Sequence, residues 1–132
     1  MIRETKTQRS VLVVDDEPDV LDVFKNILGS LGYRVSLESS SVKALEIIKR
    51  NDYDLIITDL IMPEMNGLEL LQVIKSENRN IPVIITAGID IKDIDIDAGE
   101  FGEIEFIKKP FTINDIKQKL RRQFTDKVIV NH

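Results

Sequence analysis

The chain has 132 residues, of which 42% are hydrophobic, and this is enough for one domain with a compact core. Its formal net charge of -5 disfavours nonspecific binding to nucleic acid or to an anionic membrane, because both attract basic surfaces. The absence of cysteine excludes disulfides, thiolate metal sites and thiol nucleophiles. The first residues form no apolar signal region and no apolar run reaches the roughly 20 residues that cross a bilayer, so we expect a cytoplasmic protein.

Short β-branched runs alternate with longer stretches of helical period, as they do in βα units around a parallel sheet. The predicted strands are residues 11–14, 33–37, 55–58, 82–85 and 104–107. The first, third and fourth are nearly all apolar, which is typical of central strands that are buried on both faces. The pattern therefore predicts an α/β fold with a doubly wound, five-stranded parallel sheet.

Apolar stripes and capping residues predict the helices. The stripe positions are Val20, Phe24, Ile27 and Leu28 in the first helix, Leu45 and Ile48 in the second, Leu68, Leu71 and Ile74 in the third, and Ile116 and Leu120 in the last. The second helix follows serines at 39–41, and two others open with capping boxes, Asn66 with Glu69 and Thr112 with Asp115. The fourth of the five expected helices falls within residues 89–99. There isoleucine nearly alternates with aspartate, a pattern that also fits an edge strand or an irregular loop, so we expect this helix to be short or distorted.

Polar side chains follow four of the predicted strands. Asp15 and Asp16 come after the first strand, Asp59 after the third, Thr86 after the fourth and Lys109 after the fifth. Ligands of a doubly wound sheet bind beyond the carboxyl ends of its strands, so these side chains are expected to converge there.

Each of these residues alone has an ordinary structural explanation. Asp15 or Asp16 could cap the first helix, Asp59 could form a turn, Thr86 could be a loop hydroxyl and Lys109 a solvated lysine. Together, however, clustered carboxylates repel one another and cost stability unless a cation is present. A donor set made of oxygen atoms suits Mg²⁺, which also grips phosphate. A carboxylate beside Mg²⁺ and a lysine stays ionised and can attack phosphorus in line to form an acyl phosphate.

Four motifs in chain order resemble one protein family. They are Asp15-Asp16, the run from Asp59 to Gly67, Thr86-Ala87 and Lys109-Pro110-Phe111. Over about residues 10–124 the chain is similar to the receiver domain (CheY-like) family of two-component response regulators. The resemblance implies a flavodoxin-like fold with strand order 2-1-3-4-5.

The resemblance also implies a role for each site residue. Asp59 would accept a phosphoryl group from a phosphohistidine of a sensor histidine kinase or phosphotransfer protein, while Thr86 and Lys109 would bind that group. Such a domain promotes its own phosphorylation and dephosphorylation and is not a turnover enzyme. The Lys109-Pro110 bond is expected to be cis. Phe106 is either the aromatic side chain that turns inward when Thr86 moves, or an ordinary apolar strand residue.

For the metal site, the resemblance implies that Asp16, Asp59 and the main-chain carbonyl of Ile61 bind Mg²⁺ directly, with Asp15 acting through water. Ile61 and Gly88 occupy positions that in this family influence the access of water to the phosphoryl group. Neither side chain can orient a water molecule, so we predict slow self-dephosphorylation. The isoleucine and aspartate segment replaces the usual alanine-rich fourth helix, through either family variation or a surface rebuilt for an unusual partner.

We expect a flexible segment over residues 1–9, the receiver domain over 10–124 and a tail over 125–132. The apolar triplet Val128, Ile129 and Val130 could form an extra strand, pair with a second copy in a homodimer, or begin a linker to an output domain. The expected partners are thus a kinase or phosphotransfer protein and a downstream protein or output domain. Direct binding to nucleic acid or a membrane is not expected.

Three rival functions lead to different expectations. A haloacid dehalogenase-like phosphatase needs a second acid two positions after its aspartate, where this chain has Ile61. A flavodoxin needs a phosphate loop after the first strand, where Asp15, Asp16 and Glu17 would repel a flavin phosphate. A phosphorylation-independent interaction module on the same fold stays open, because a complete site can persist while regulation acts through binding alone.

Overall fold

The computed structural model describes residues 8–77, 80–90, 92 and 104–129, with the backbone alone for 125–129. The strands are β1 (Ser10–Val14), β2 (Arg34–Glu38), β3 (Leu55–Asp59), β4 (Val83–Ala87) and β5 (Glu105–Lys108). They form one parallel sheet in the order β2-β1-β3-β4-β5. The helices in the described ranges are α1 (Pro18–Ser30), α2 (Ser41–Arg50), α3 (Gly67–Ser76) and α4 (Ile113–Ile129). The predicted doubly wound sheet and its strand order are confirmed.

The two faces of the sheet bury separate apolar clusters, because alternate residues of a strand point to opposite faces. Leu12 and Val14 of β1 pack in the cluster covered by α2 and α3, whereas Val11 and Val13 pack in the cluster covered by α1 and α4. All five residues of β3 and of β4 are buried, which confirms their central position. None of the helices in the described part of the chain is long and apolar enough to span a membrane.

Strand boundaries differ from the predicted ones by one or two residues, and one difference matters for the site. Asp59 and Thr86 lie inside β3 and β4 and not after them, since the parallel ladder continues to the Cα pair Asp59 and Thr86. The carboxyl and hydroxyl groups therefore extend from hydrogen-bonded strands, which hold their positions more firmly than a loop does.

Local capping signals are confirmed at three helix starts. Ser40 Oγ accepts a hydrogen bond from the backbone N–H of Lys43 at the start of α2. The Asn66 and Glu69 capping box is complete at α3. Thr112 and Asp115 make the same reciprocal pair of hydrogen bonds before α4.

The ends of the domain carry contacts that the sequence pattern did not indicate. Helix α4 continues to Ile129, beyond the boundary predicted at residue 124, so Val128 and Ile129 have helical backbone. Arg9, in the segment predicted to be flexible, places its guanidinium carbon 4.4 Å from the centroid of the Phe124 ring. The short or distorted helix predicted over 89–99 lies largely outside the described residues, which there include only 89, 90 and 92.

Candidate functional site

The carboxyl edge of the sheet brings together three of the predicted site residues, Asp15, Asp59 and Lys109. Backbone hydrogen bonds join neighbouring strands at this edge. The N–H of Leu60 donates to the carbonyl of Thr86 at 2.8 Å, and the N–H of Lys109 donates to the carbonyl of Ala87 at 2.7 Å. Successive strand ends are thereby held side by side. Asp15, which follows β1, is 1% exposed, and Asp59 at the end of β3 is 8% exposed.

The ammonium group of Lys109 is the centre of this cluster. Its Nζ lies 3.1 Å from Oδ2 of Asp15, 3.3 Å from Oδ2 of Asp59 and 3.5 Å from Oε1 of Glu17. One cation thus faces three carboxylates, two of which are buried. Moving a charge out of water costs free energy unless the charge is paired. In these contacts Lys109 is the cation that offsets this cost for the buried carboxylates.

The electrostatics of the cluster shift two pKa values. Burial, followed by the negative charge of Asp15, raises the pKa of Asp59, and the nearby Lys109 only partly offsets this. Partial burial by itself lowers the pKa of Lys109, but its hydrogen bond and Coulombic attraction to Asp15, together with those to Asp59, outweigh burial and raise it. The lysine therefore stays protonated, whereas the Asp59 carboxylate lacks full compensation for its charge.

Thr86 presents a hydroxyl with unused hydrogen-bonding capacity. Its Oγ1 is buried and has no hydrogen-bond partner among the described residues, a property shared with Oγ of Ser41. A buried unpaired hydroxyl is uncommon because it costs free energy. Thr86 is the Cα partner of Asp59, so the two side chains extend from neighbouring strands at the same end of the sheet.

The loop after β3 approaches the Asp59 backbone very closely. Gly67 donates its N–H to the carbonyl of Leu60 at 2.8 Å, and a Cβ atom at position 67 would lie 2.6 Å from the carbonyl oxygen of Asp59. Only glycine fits here without a backbone shift. The loop also presents Ile61 with 65% of its surface exposed, so the side chain two positions after Asp59 covers no part of the core.

The start of α1 separates the acidic residues that follow β1. The N-cap residue is Glu17, so neither Asp15 nor Asp16 caps the helix, and Asp15 Oδ1 instead accepts a hydrogen bond from the Glu17 N–H at 2.9 Å. Asp16 is exposed. The carboxylates whose oxygen atoms lie within 4.8 Å of one another are those of Asp15, Glu17 and Asp59.

Glu17 is the site residue that sequence reasoning missed. Its only sequence signal is its position directly after the acidic pair, and an acidic residue there is equally typical of a first helical turn. The predicted direct ligand Asp16 is not in this group of close carboxylates. The role of Asp16 as a direct metal ligand stays a prediction.

The elements around Lys109 include two further predicted features. The Lys109-Pro110 peptide bond is cis, as predicted. Phe106 is half-buried and packs against the cluster under α2 and α3. A cavity of about 150 Å³ lies next to it, and its lining includes Ala87 and Ile89 from the end of β4 and the following loop. The Phe106 side chain forms part of the wall of this cavity.

The fold and site together define a doubly wound α/β protein with a carboxylate and ammonium cluster at the carboxyl edge of its sheet. The sequence model of one protein family, the response regulator receiver domain, matches residues 11–121 of this chain. The chain belongs to this family.

Relatives of known kind agree with this assignment. Chemotaxis protein CheY-3 of Vibrio cholerae is 32% identical over 117 residues, which cover 86% of this chain and 90% of that protein. Transcriptional regulatory protein ZraR of Klebsiella oxytoca is 33% identical over 113 residues, 86% of this chain but only 26% of that protein. The receiver domain of a sensor histidine kinase from Pseudomonas aeruginosa superposes with a TM-score of 0.78 at 26% identity, covering 88% of this chain and 97% of that one. That structure is described with a magnesium ion coordinated in its active-site cleft.

Proposed function

We propose that Asp59 accepts a phosphoryl group from a phosphohistidine of a sensor histidine kinase or a phosphotransfer protein. The observation that carries this proposal is the environment of one carboxylate. Asp59 is 8% exposed, lies 3.3 Å from the Lys109 ammonium and has the unpartnered Thr86 hydroxyl as its strand neighbour. A nucleophile and a cation are therefore in contact at the sheet edge, and a hydroxyl donor extends from the neighbouring strand.

The chemistry that these groups support is an in-line phosphoryl transfer. An oxygen of Asp59 attacks phosphorus, the bond from phosphorus to the donor imidazole nitrogen breaks, and that nitrogen leaves with the electron pair. The product is an acyl phosphate on Asp59. Lys109 can neutralise the charge on the phosphoryl oxygens, and the Thr86 hydroxyl can donate a hydrogen bond to one of them.

A divalent ion fits the residues of this site. Its buried donor atoms are carboxylate oxygens, with no histidine or cysteine, and this favours Mg²⁺ over softer metals. We propose that Asp16, Asp59 and the carbonyl of Ile61 hold Mg²⁺ directly, with Asp15 acting through water. When bound, the ion supplies positive charge to the carboxylates and to the incoming phosphoryl group. The magnesium described in the Pseudomonas aeruginosa receiver domain supports this choice.

The rim of the site suits a docking protein. Ile61, Ile89 and Ile113 belong to the large apolar side chains that are exposed, and each follows a strand that ends at this edge. Apolar side chains around a polar centre are typical of surfaces that bind another protein. The kinase or phosphotransfer protein would approach from this side, in the cytoplasm.

Phosphorylation would then change the surface that a second partner recognises. We propose that Thr86 moves toward the phosphoryl group and that Phe106 turns into the space beside it. The recipient of the signal is a downstream protein or an output domain, and a homodimer is a further form of output. On this proposal the domain is a switch and not a turnover enzyme.

The first test is intact mass after incubation with Mg²⁺ and acetyl phosphate. We expect one added phosphoryl group on the wild-type chain and none on Asp59→Asn. Asp22→Asn, an exposed aspartate of α1, is the matched control and should accept the group. A folded wild-type chain that binds Mg²⁺ yet gains no mass would contradict phosphotransfer and would support the phosphorylation-independent interaction module.

A further inference from the structure

The Glu17 side chain reaches into the site from its rim. Its Oε1 lies 3.5 Å from Lys109 Nζ, and its carboxylate belongs to the group of three within 4.8 Å that also contains Asp15 and Asp59. In contrast to those two carboxylates, the Glu17 side chain is 63% exposed. Glu17 is therefore the solvent-exposed member of the three carboxylates around Lys109.

The conformation of Glu17 is not explained by helix capping. Glu17 is the N-cap residue of α1, a position at which serine, threonine, aspartate or asparagine stabilises a helix by accepting a hydrogen bond from one of the first free N–H groups. The Glu17 side chain makes no such hydrogen bond. The contact shown for its carboxylate is with Lys109, so its position serves the site and not the helix.

The charges of the cluster favour the binding of a cation. Three carboxylates face one ammonium group, which leaves an excess of two negative charges. The buried hydroxyl of Thr86, the strand neighbour of Asp59, has no hydrogen-bond partner among the described residues. In this state Glu17 competes with Asp59 for Lys109 and repels an incoming phosphoryl group. A divalent cation balances the excess, and the Glu17 carboxylate then attracts that ion.

We propose that Glu17 is a positioning residue that strengthens the binding of the divalent ion and makes phosphoryl acceptance depend more steeply on that ion. Without the ion, the Glu17 carboxylate pairs with the Lys109 ammonium group and repels anions that approach the site. With the ion, the same carboxylate adds to the local field that holds the cation. This inference rests on the proposed phosphoacceptor function of the site.

Calorimetric titration of the unphosphorylated protein with Mg²⁺ tests the proposal on wild type, Glu17→Gln and Asp22→Asn. We expect Glu17→Gln to weaken Mg²⁺ binding about fivefold, the effect of two unit charges about 4 Å apart at the dielectric constant of water, which suits a side chain that is 63% exposed. The rise in melting temperature between chelator and Mg²⁺ should shrink in parallel. Asp22→Asn removes the same charge from an exposed position of α1 and should behave as wild type.

The outcomes separate this inference from the proposed function. If wild type binds Mg²⁺ and accepts a phosphoryl group on Asp59 while Glu17→Gln matches Asp22→Asn in Mg²⁺ affinity, the role of Glu17 is wrong and the function stands. If wild type shows neither Mg²⁺ binding nor a mass adduct, both fail. Support requires weaker Mg²⁺ binding in Glu17→Gln alone, together with phosphorylation that responds less to the Mg²⁺ concentration.

Discussion

The Lys109 ammonium nitrogen lies 3.3 Å from Oδ2 of Asp59 and 3.1 Å from Oδ2 of Asp15, so one lysine holds two buried carboxylates at the carboxyl edge of the sheet. The arrangement leaves the site with excess negative charge. Stability and function therefore make opposite demands on Asp59, since the carboxylate that accepts the phosphoryl group is also the one whose charge costs stability in the folded state.

Replacing Asp59 by asparagine is expected to stabilise the protein at neutral pH. Burial and the charge of Asp15 raise the pKa of Asp59 above its ordinary value of 3.8, so the folded state binds this proton more tightly than the unfolded chain does. Stability contributed by the protonated group is present at low pH and is lost as pH rises from 3.8 through the folded pKa. At pH 7 without metal, Asp59→Asn should melt several degrees above wild type.

Melting curves recorded in chelator at pH 7 and pH 4 test whether Asp59→Asn raises the melting temperature. The advantage of Asp59→Asn should shrink toward pH 4, where the folded wild-type protein takes up the proton. Asp22→Asn, which changes an exposed residue, should show no comparable shift. A lower melting temperature for Asp59→Asn at pH 7 would contradict the assigned electrostatic cost.

Replacing Lys109 by methionine is expected to destabilise the fold by about 2–4 kcal/mol, because the buried Asp15 and Asp59 carboxylates lose their cation. Urea denaturation measures the loss. Combining Lys109→Met with Asp59→Asn should recover part of it, since the residues interact directly. Lys108→Met is the control at an exposed position of β5. Strict additivity of the two changes would show that the lysine and the carboxylate do not interact.

Replacing Gly67 by alanine is expected to cost about 1–3 kcal/mol, because the new Cβ would lie 2.6 Å from the Asp59 carbonyl oxygen and would displace the strand end. Phosphorylation by acetyl phosphate should slow as the carboxylate shifts. Gly29→Ala is the opposite case. It lies in α1 with no atom within 4 Å of a new Cβ, so it should gain about 0.5–1 kcal/mol. Equal unfolding free energies for the two variants would contradict the close approach at Gly67.

Replacing Thr86 by valine should leave the unphosphorylated protein at least as stable as wild type. The lost hydroxyl has no partner in the described part of the chain, and an apolar group of the same shape removes the cost of burying it. Thr58→Val is the matched contrast, because Thr58 Oγ1 donates to the Asp59 carbonyl at 3.2 Å, and its loss should cost about 1 kcal/mol. Acetyl phosphate should raise the melting temperature of wild type more than that of Thr86→Val. An equal rise in both would argue against a bond from this hydroxyl to the phosphoryl group.

The phosphoryl group of the wild-type protein should persist far longer than seconds after the donor is removed. Ile61 is 65% exposed beside the site and has no polar atom with which to orient an attacking water molecule. Ile61→Asn supplies such an atom and should shorten the lifetime severalfold, as followed by the decay of the added mass. Ile113→Asn controls for loss of another exposed isoleucine. A wild-type lifetime of seconds would overturn the prediction.

Local sequence patterns were sufficient to predict the buried strands, two helix starts and the edge of the sheet that carries the site. The all-apolar runs around Val13, Ile57 and Ile85 predict strands that are buried on both faces, because only a covered parallel sheet hides every side chain of a strand. The capping boxes at Asn66 and Thr112 act over three residues, so their outcome depends little on the rest of the fold. The order of the polar residues after the strands likewise predicts which edge of the sheet carries the site.

Only the tertiary structure decided how the charged groups share that edge. Residue type and spacing do not distinguish the neighbouring Asp15 and Asp16, yet Asp15 is 1% exposed and accepts a hydrogen bond from Lys109, whereas Asp16 is exposed. Glu17 belongs to the cluster because the turn into α1 places its carboxylate near Lys109, a residue that follows β5 and is distant in the sequence. Distances between charges depend on how β1, β3 and β5 are aligned, and electrostatic energy changes steeply over a few ångströms. No residue pattern encodes that alignment locally, so the contacts of Lys109 with Asp15, Asp59 and Glu17 became visible only in the packed structure.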